Sequence, residues 1–152
     1  MAIYFDDFEV GQTFVGGGRT FTEAEIITFA HSYDPQAMHI DRVYAEDGSF
    51  KGLIASGFHT LSIAWWLFLK LGLVEGSMKI GIGVDEVRWK RPVRPGDTVA
   101  LTVEIIEKSL TSANDSGRVH FSHTLKNQAN EVVLTYNSLH LIWLKGYGKS
   151  ES

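Results

Sequence analysis

The sequence predicts an α+β domain in which an antiparallel sheet curls around one buried helix, and two patterns carry that prediction. The first is the run from Gly57 to Leu71, where apolar residues from Leu61 onward occupy every side of a helical wheel. Such a helix, interrupted by Lys70 and well short of the ~20 residues of a bilayer span, has to be enclosed by its own domain, or by that domain plus a partner. The second pattern is the half from about Ile80, where apolar residues recur with a period of two between turn signals. Sequential strands joined by short turns pair antiparallel.

Each element has a local reason. A first helix begins at Thr22, because Thr22-Glu23-Ala24-Glu25 fits a capping box: the hydroxyl takes the amide three residues on, and Glu25 reaches back. Ile26, Ile27, Phe29 and Ala30 give it an apolar face, and it stops before Asp34-Pro35, where the residue ahead of proline disfavours helix. The segment from Asp34 to about Asp41 then reads as a loop. The enclosed helix opens at Ser56-Gly57 and ends at Gly72, a suitable residue after a helix C-terminus. Beyond it, Val87 and Trp89 alternate with polar residues, and Pro95-Gly96-Asp97 marks a turn. Val99, Leu101, Val103 and Ile105 keep the period of two, and Asn114 to Gly117 marks the next turn. Val119, Phe121 and Leu125 follow, then the turn-prone Asn127 to Asn130 and a β-branched and aromatic run from Val132 to Leu144.

At 152 residues the chain matches one domain of about 150 residues. We read residues 1–146 as that single domain and 147–152 as a frayed tail. Fourteen Lys and Arg against 18 Asp and Glu give a net charge of −4, which leaves no electrostatic footprint for nucleic acid or an anionic membrane. The lack of cysteine excludes disulfides, thiolate metal sites and cysteine nucleophiles. The opening Met1-Ala2-Ile3-Tyr4-Phe5-Asp6-Asp7 has neither the basic nor the apolar region of a secretory signal, so a cytoplasmic location is expected.

Titratable groups concentrate in Tyr33 to Asp41. Asp34 and His39 lie five residues apart, and a looped backbone can bring them together to hold one water between an acceptor and a proton donor, as hydration or dehydration requires. Local capping by Asp34 and a surface role for His39 remain the plain alternative. At Ser56-Gly57 the helix N-terminus offers unpaired amides, and glycine lets an oxyanion approach. Here too simple capping by Ser56 is the alternative. His120 and His123, three apart in a strand, face opposite sides and cannot share a metal ion, and no metal site is expected. His59 reads as a partner of backbone or of the loop. The clusters Gly16-Gly17-Gly18 and Gly81-Ile82-Gly83 lack the continuation of a phosphate loop, and no Gly-x-Ser-x-Gly elbow is present.

Taken together, Asp34-Pro35-Gln36-Ala37-Met38-His39-Ile40-Asp41, then Ala45, Phe50 and Ile54-Ala55-Ser56-Gly57, resemble the signature of the MaoC-like dehydratases, which include the R-specific enoyl-CoA hydratases. Val87-Arg88-Trp89 followed by Arg91 to Asp97 is similar to a later family segment, as are Phe8 to Gln12 and Asn127 to Val133. The resemblance spans nearly the whole chain. It implies the hot-dog fold, an antiparallel β-sheet wrapped around a long central α-helix. It also implies a homodimer or dimer-based oligomer, with acyl-CoA at or near the subunit interface and no cofactor beyond the coenzyme A of the substrate. By position, Asp34 and His39 match the catalytic pair of a hydro-lyase and the Gly57 amide matches the oxyanion donor, with Gln36, Ser56 and Phe50 as substrate-binding residues.

Departures from the family pattern bear on the substrate: Gln36 replaces an Asn, Ala37 a Pro, and Ser56 a His, while Pro35 directly follows Asp34. Trp65 and Trp66 are expected to shorten the acyl tunnel. An acyl-CoA thioesterase of the same fold, or a non-catalytic acyl-CoA-binding subunit, are the alternative readings.

Overall fold

The computed structural model describes residues 2–148. A single 3-10 turn at Phe5–Asp7 leads into β1 (Thr13–Thr20), α1 (Glu23–Tyr33), the short helices α2 (Ala37–Ile40) and α3 (Arg42–Asp47), and α4 (Gly57–Lys70). Four strands follow: β2 (Met78–Trp89), β3 (Thr98–Leu110), β4 (Ser116–Lys126) and β5 (Val132–Trp143). They form one five-stranded sheet in the order β1-β3-β4-β5-β2, with every pairing antiparallel.

Alternation builds the inner face as the sequence predicts. Val99, Leu101, Val103 and Ile105 of β3 are buried, as are Val119, Phe121, His123 and Leu125 of β4. From β5, Leu134, Tyr136, Ser138, His140 and Ile142 point the same way, so this face holds an unusual polar share. α4 lies across it. Phe68, fully buried, sits edge-on to Phe121 at 5.2 Å and is stacked on His140 at 5.7 Å between ring centroids. On β1 the Cβ direction of Gly16 meets Leu71 at 3.5 Å, so the glycine-rich strand lets the end of α4 come close. This is the hot-dog arrangement. Its helix is shorter than the resemblance implies: 14 residues, about 21 Å, against strands of up to 13 residues, about 43 Å.

The capping box holds: Glu25 N–H donates to Thr22 Oγ1 at 3.2 Å and Thr22 N–H to Glu25 Oε2 at 3.2 Å. At the Pro95-Gly96-Asp97 turn, Gly96 takes φ +89° and Asp97 Oδ2 accepts the Arg94 amide at 2.8 Å. One strand has no forerunner in the sequence reading, and two sequence expectations need correction. β1 runs through Gly16-Gly17-Gly18, a stretch read only as not a phosphate loop; its pairing with β3 overrides poor strand propensity. The segment taken as a loop to Asp41 contains α2, and α3 follows at once; with 4 and 6 residues they are too short to show periodicity. His59 is bonded to neither backbone nor loop: its ring is buried, stacked on Phe29 at 4.6 Å, and its Nδ1 has no partner. His123 is buried and His120 only half-buried, on opposite faces of β4 as expected. Residues 149–152 of the expected tail lie outside the described residues; within it, the Tyr147 amide donates to Leu144 O at 3.0 Å.

Candidate active site

Three helix ends converge on Asp34. It is the C-terminal cap of α1, stopped there by Pro35; Gln36 is the N-cap of α2, which carries His39; Ser56 is the N-cap of α4. The chain reverses tightly between the first two, with the Gln36 amide donating to Asp34 O at 2.7 Å. That reversal, together with the single turn of α2, swings His39 back over Asp34. His39 Nε2 lies 3.4 Å from Asp34 Oδ2, with side-chain exposures of 6% and 14%. Behind His39, Nδ1 is 2.7 Å from Ile54 O. A carbonyl only accepts, so Nδ1 carries the proton, and Nε2 is the ring atom left for chemistry on the Asp34 side.

Asp34 is itself held at both oxygens. Ser56 Oγ–H donates to Oδ2 at 2.6 Å and Gln36 Nε2–H donates to Oδ1 at 2.8 Å. These two bonds, Ser56 first, keep its carboxyl below the usual carboxylate range; the nearby His39 adds to this and partial burial opposes it. Asp34 is therefore an ionised acceptor at neutral pH. Ser56 is fully buried and does two jobs, because its Oγ also accepts the Phe58 amide at 3.2 Å and so caps α4. Gly57 is the first helical residue, and its amide is among the first-turn donors that have no acceptor within the helix.

These groups open onto one cavity of about 370 Å³. Asp34, Gln36, His39, Phe50 and Gly57, all singled out from sequence, line it; Ser56 stands behind Asp34 rather than in the wall. Phe58, Trp89, Lys90 and Arg91 also line it and were missed. Trp89, Lys90 and Arg91 form an aromatic and basic run at the end of β2 and Phe58 sits in the first turn of α4, and neither local pattern says what lies opposite. Trp65 and Trp66 do not line this cavity: Trp65 packs on Phe68 and His140, and Trp66 lies beneath the Arg19 guanidinium at 4.6 Å. Chemically, the cavity offers an ionised carboxylate, an imidazole nitrogen beside it, and the positive end of a helix, framed by apolar side chains.

The sequence profile of the MaoC like domain matches residues 7–127. Protein YdeM of Bacillus subtilis is 34% identical over 103 residues, which cover 68% of this chain and 73% of that protein. An (R)-specific enoyl-CoA hydratase of Rhodospirillum rubrum is 34% identical over 107 residues, covering 67% of this chain and 69% of the relative. The solved structure of a MaoC-like dehydratase from Rhodospirillum rubrum superimposes with a TM-score of 0.88 at 29% identity, covering 95% of this chain and 99% of that one. The fold, the ordered motif and these matches agree: the chain belongs to the MaoC-like dehydratase family and has its hot-dog architecture.

Proposed function

We propose that this chain is a hydro-lyase that reversibly hydrates a 2-enoyl-CoA to a 3-hydroxyacyl-CoA. The observation that carries the reading is the placement of Asp34 Oδ2 and His39 Nε2 3.4 Å apart in the same cavity as the α4 N-terminus. A water within reach of both atoms is activated by loss of a proton to the pair, and its oxygen bonds to the β-carbon. The α–β double-bond electrons move toward the thioester carbonyl, whose oxygen takes enolate charge. The Gly57 amide and the α4 dipole stabilise that charge; one such donor is worth ~2.7–4 kcal/mol in acyl-transfer enzymes. The pair then returns a proton to the α-carbon, which leaves the site in its starting protonation state. Gln36 and Ser56 fix Asp34 for this step, and Phe50 offers apolar contact to the substrate. Coenzyme A enters as part of the substrate, and the residues named need no further cofactor.

The second part of the proposal is a homodimer. β2 is an edge strand whose outward residues Ile80, Ile82 and Val84 are 50–56% exposed, an apolar edge of the kind that pairs with another strand. Among the described residues no helix is long and apolar enough to cross a membrane, and we place the activity in the cytoplasm.

The deciding experiment mixes purified protein with crotonyl-CoA and follows the ultraviolet absorbance of the conjugated thioester. Loss of that absorbance without thiol release is expected, and Asp34→Asn should reduce the rate by at least about a hundredfold while the circular dichroism spectrum shows the fold retained. Thiol release from saturated acyl-CoA would assign a thioesterase instead. Wild-type turnover by Asp34→Asn would remove Asp34 from the mechanism.

A further inference from the structure

Trp89 stands at the end of β2, directly against the first turn of α4. Its indole Nε1–H donates to the Gly57 carbonyl at 2.8 Å. Phe58 packs edge-on to the ring, with centroids 5.6 Å apart and planes at 68°. A Cβ built on Gly57 would fall 2.5 Å from indole Cε2 and 2.7 Å from Nε1, nearer than real contacts allow. The indole thus occupies the space that any side chain at 57 would need. A ring tied by a directional hydrogen bond and by an aromatic contact cannot swing aside without losing both. Although the indole is 47% exposed, these two contacts hold it in place as one wall of the site.

That wall stands beside the reacting groups. Trp89, Phe58 and Gly57 line the cavity that holds Asp34 and His39. A thioester whose carbonyl meets the Gly57 amide therefore brings one of its two arms, acyl or pantetheine, against the indole. The cavity, at about 370 Å³, lies near the low end of the ~300–1,000 Å³ typical of small-molecule sites, and it must also admit the thioester arm. We propose that Trp89 is a specificity-determining residue that restricts the site to short-chain acyl thioesters. The proposal rests on the hydratase reading above and names the substrate class within it.

The test compares wild type, Trp89→Phe and Trp89→Ala on crotonyl-CoA and oct-2-enoyl-CoA. Wild type is expected to prefer the shorter substrate. Trp89→Ala should raise the octenoyl-to-crotonyl ratio of kcat/KM by about tenfold or more, since even one methylene in an apolar pocket is worth that much, and Trp89→Phe should raise it less. An unchanged ratio, or an equal loss on both substrates, would overturn the proposal and leave Trp89 a merely structural residue. Should wild type hydrate neither substrate, the hydratase reading fails, and the wall is judged without turnover. The dissociation constants of butyryl-CoA and octanoyl-CoA then decide: selective tightening of octanoyl-CoA by Trp89→Ala supports the wall, and equal changes overturn it. If Trp89→Ala shows no cooperative melt, Trp89→Phe and Trp89→Leu carry the same comparison.

Discussion

At the scale of single residues the most consequential contact is the 2.6 Å bond from Ser56 Oγ–H to Asp34 Oδ2. It is the largest influence holding the Asp34 carboxyl below its ordinary range, and the same oxygen caps α4 through the Phe58 amide. Ser56→Ala removes both effects. The Asp34 pKa should rise toward its ordinary value, so the acidic limb of the kcat/KM–pH profile should move to higher pH. Loss of the cap should cost about 1 kcal/mol of stability. A pH–rate profile and a urea titration measure the two separately; an unmoved acidic limb would show that Asp34 does not set it. The site was legible where its logic is local. Asp34 and His39 lie five residues apart, Pro35 ends α1 between them, and Ser56-Gly57 announces a helix N-terminus. Trp89 was not legible as a site residue, because its partner Gly57 is 32 positions away and no local pattern encodes a packing contact across that distance.

At the scale of elements β2 is the exception in the sheet. Where β3, β4 and β5 alternate buried and open positions, β2 is open along most of its length on both faces. Bulges at three places in its pairing with β5 further loosen the match between residue parity and face. The period of two from Ile80 through Ile82 and Val84 therefore shifts phase at Val87 and Trp89, across the last of these bulges. The proposed dimer completes this edge. Light scattering should give twice the 17.0 kDa chain mass, and Ile82→Lys should shift the protein toward monomer by placing a charge on the edge. An unaltered mass in Ile82→Lys would send the interface elsewhere. The α4 pattern, apolar on all sides, bears on the same point: Trp66 and Leu69 remain 39% and 44% exposed, which leaves part of that helix for a partner to cover.

At the scale of the whole molecule the core carries a polar seam. Ser138 Oγ lies 2.6 Å from His123 Nε2 and 2.8 Å from His140 Nε2, and its single proton serves only one of the two rings. His123 is stacked on Tyr136 at 4.2 Å, and His123 Nδ1, His140 Nδ1 and the Tyr136 hydroxyl have no partner. Burial pushes His123 down to about 3, helped by the neighbouring His140, and His140 down to about 4. The folded state is thus the poorer proton binder, and stability is full above the unfolded value near 6.5. It should fall as pH drops from there toward 4, by up to about 1.4 kcal/mol per pH unit for each ring. Urea titrations between pH 7.5 and 4.5 measure the slope, and His123→Gln combined with His140→Gln should flatten it; a slope unchanged in that variant would assign acid lability to other groups.

The strand order has a consequence for synthesis. Both strands made early wait for partners made late: β1 pairs with β3, and β2 pairs only with β5, which ends at Trp143. As the nascent chain leaves the ribosome, α4 emerges with no sheet to receive its apolar surface. The sheet closes around it only once β5 has emerged, so any pause before β5 prolongs the exposure of the stickiest segment of this domain.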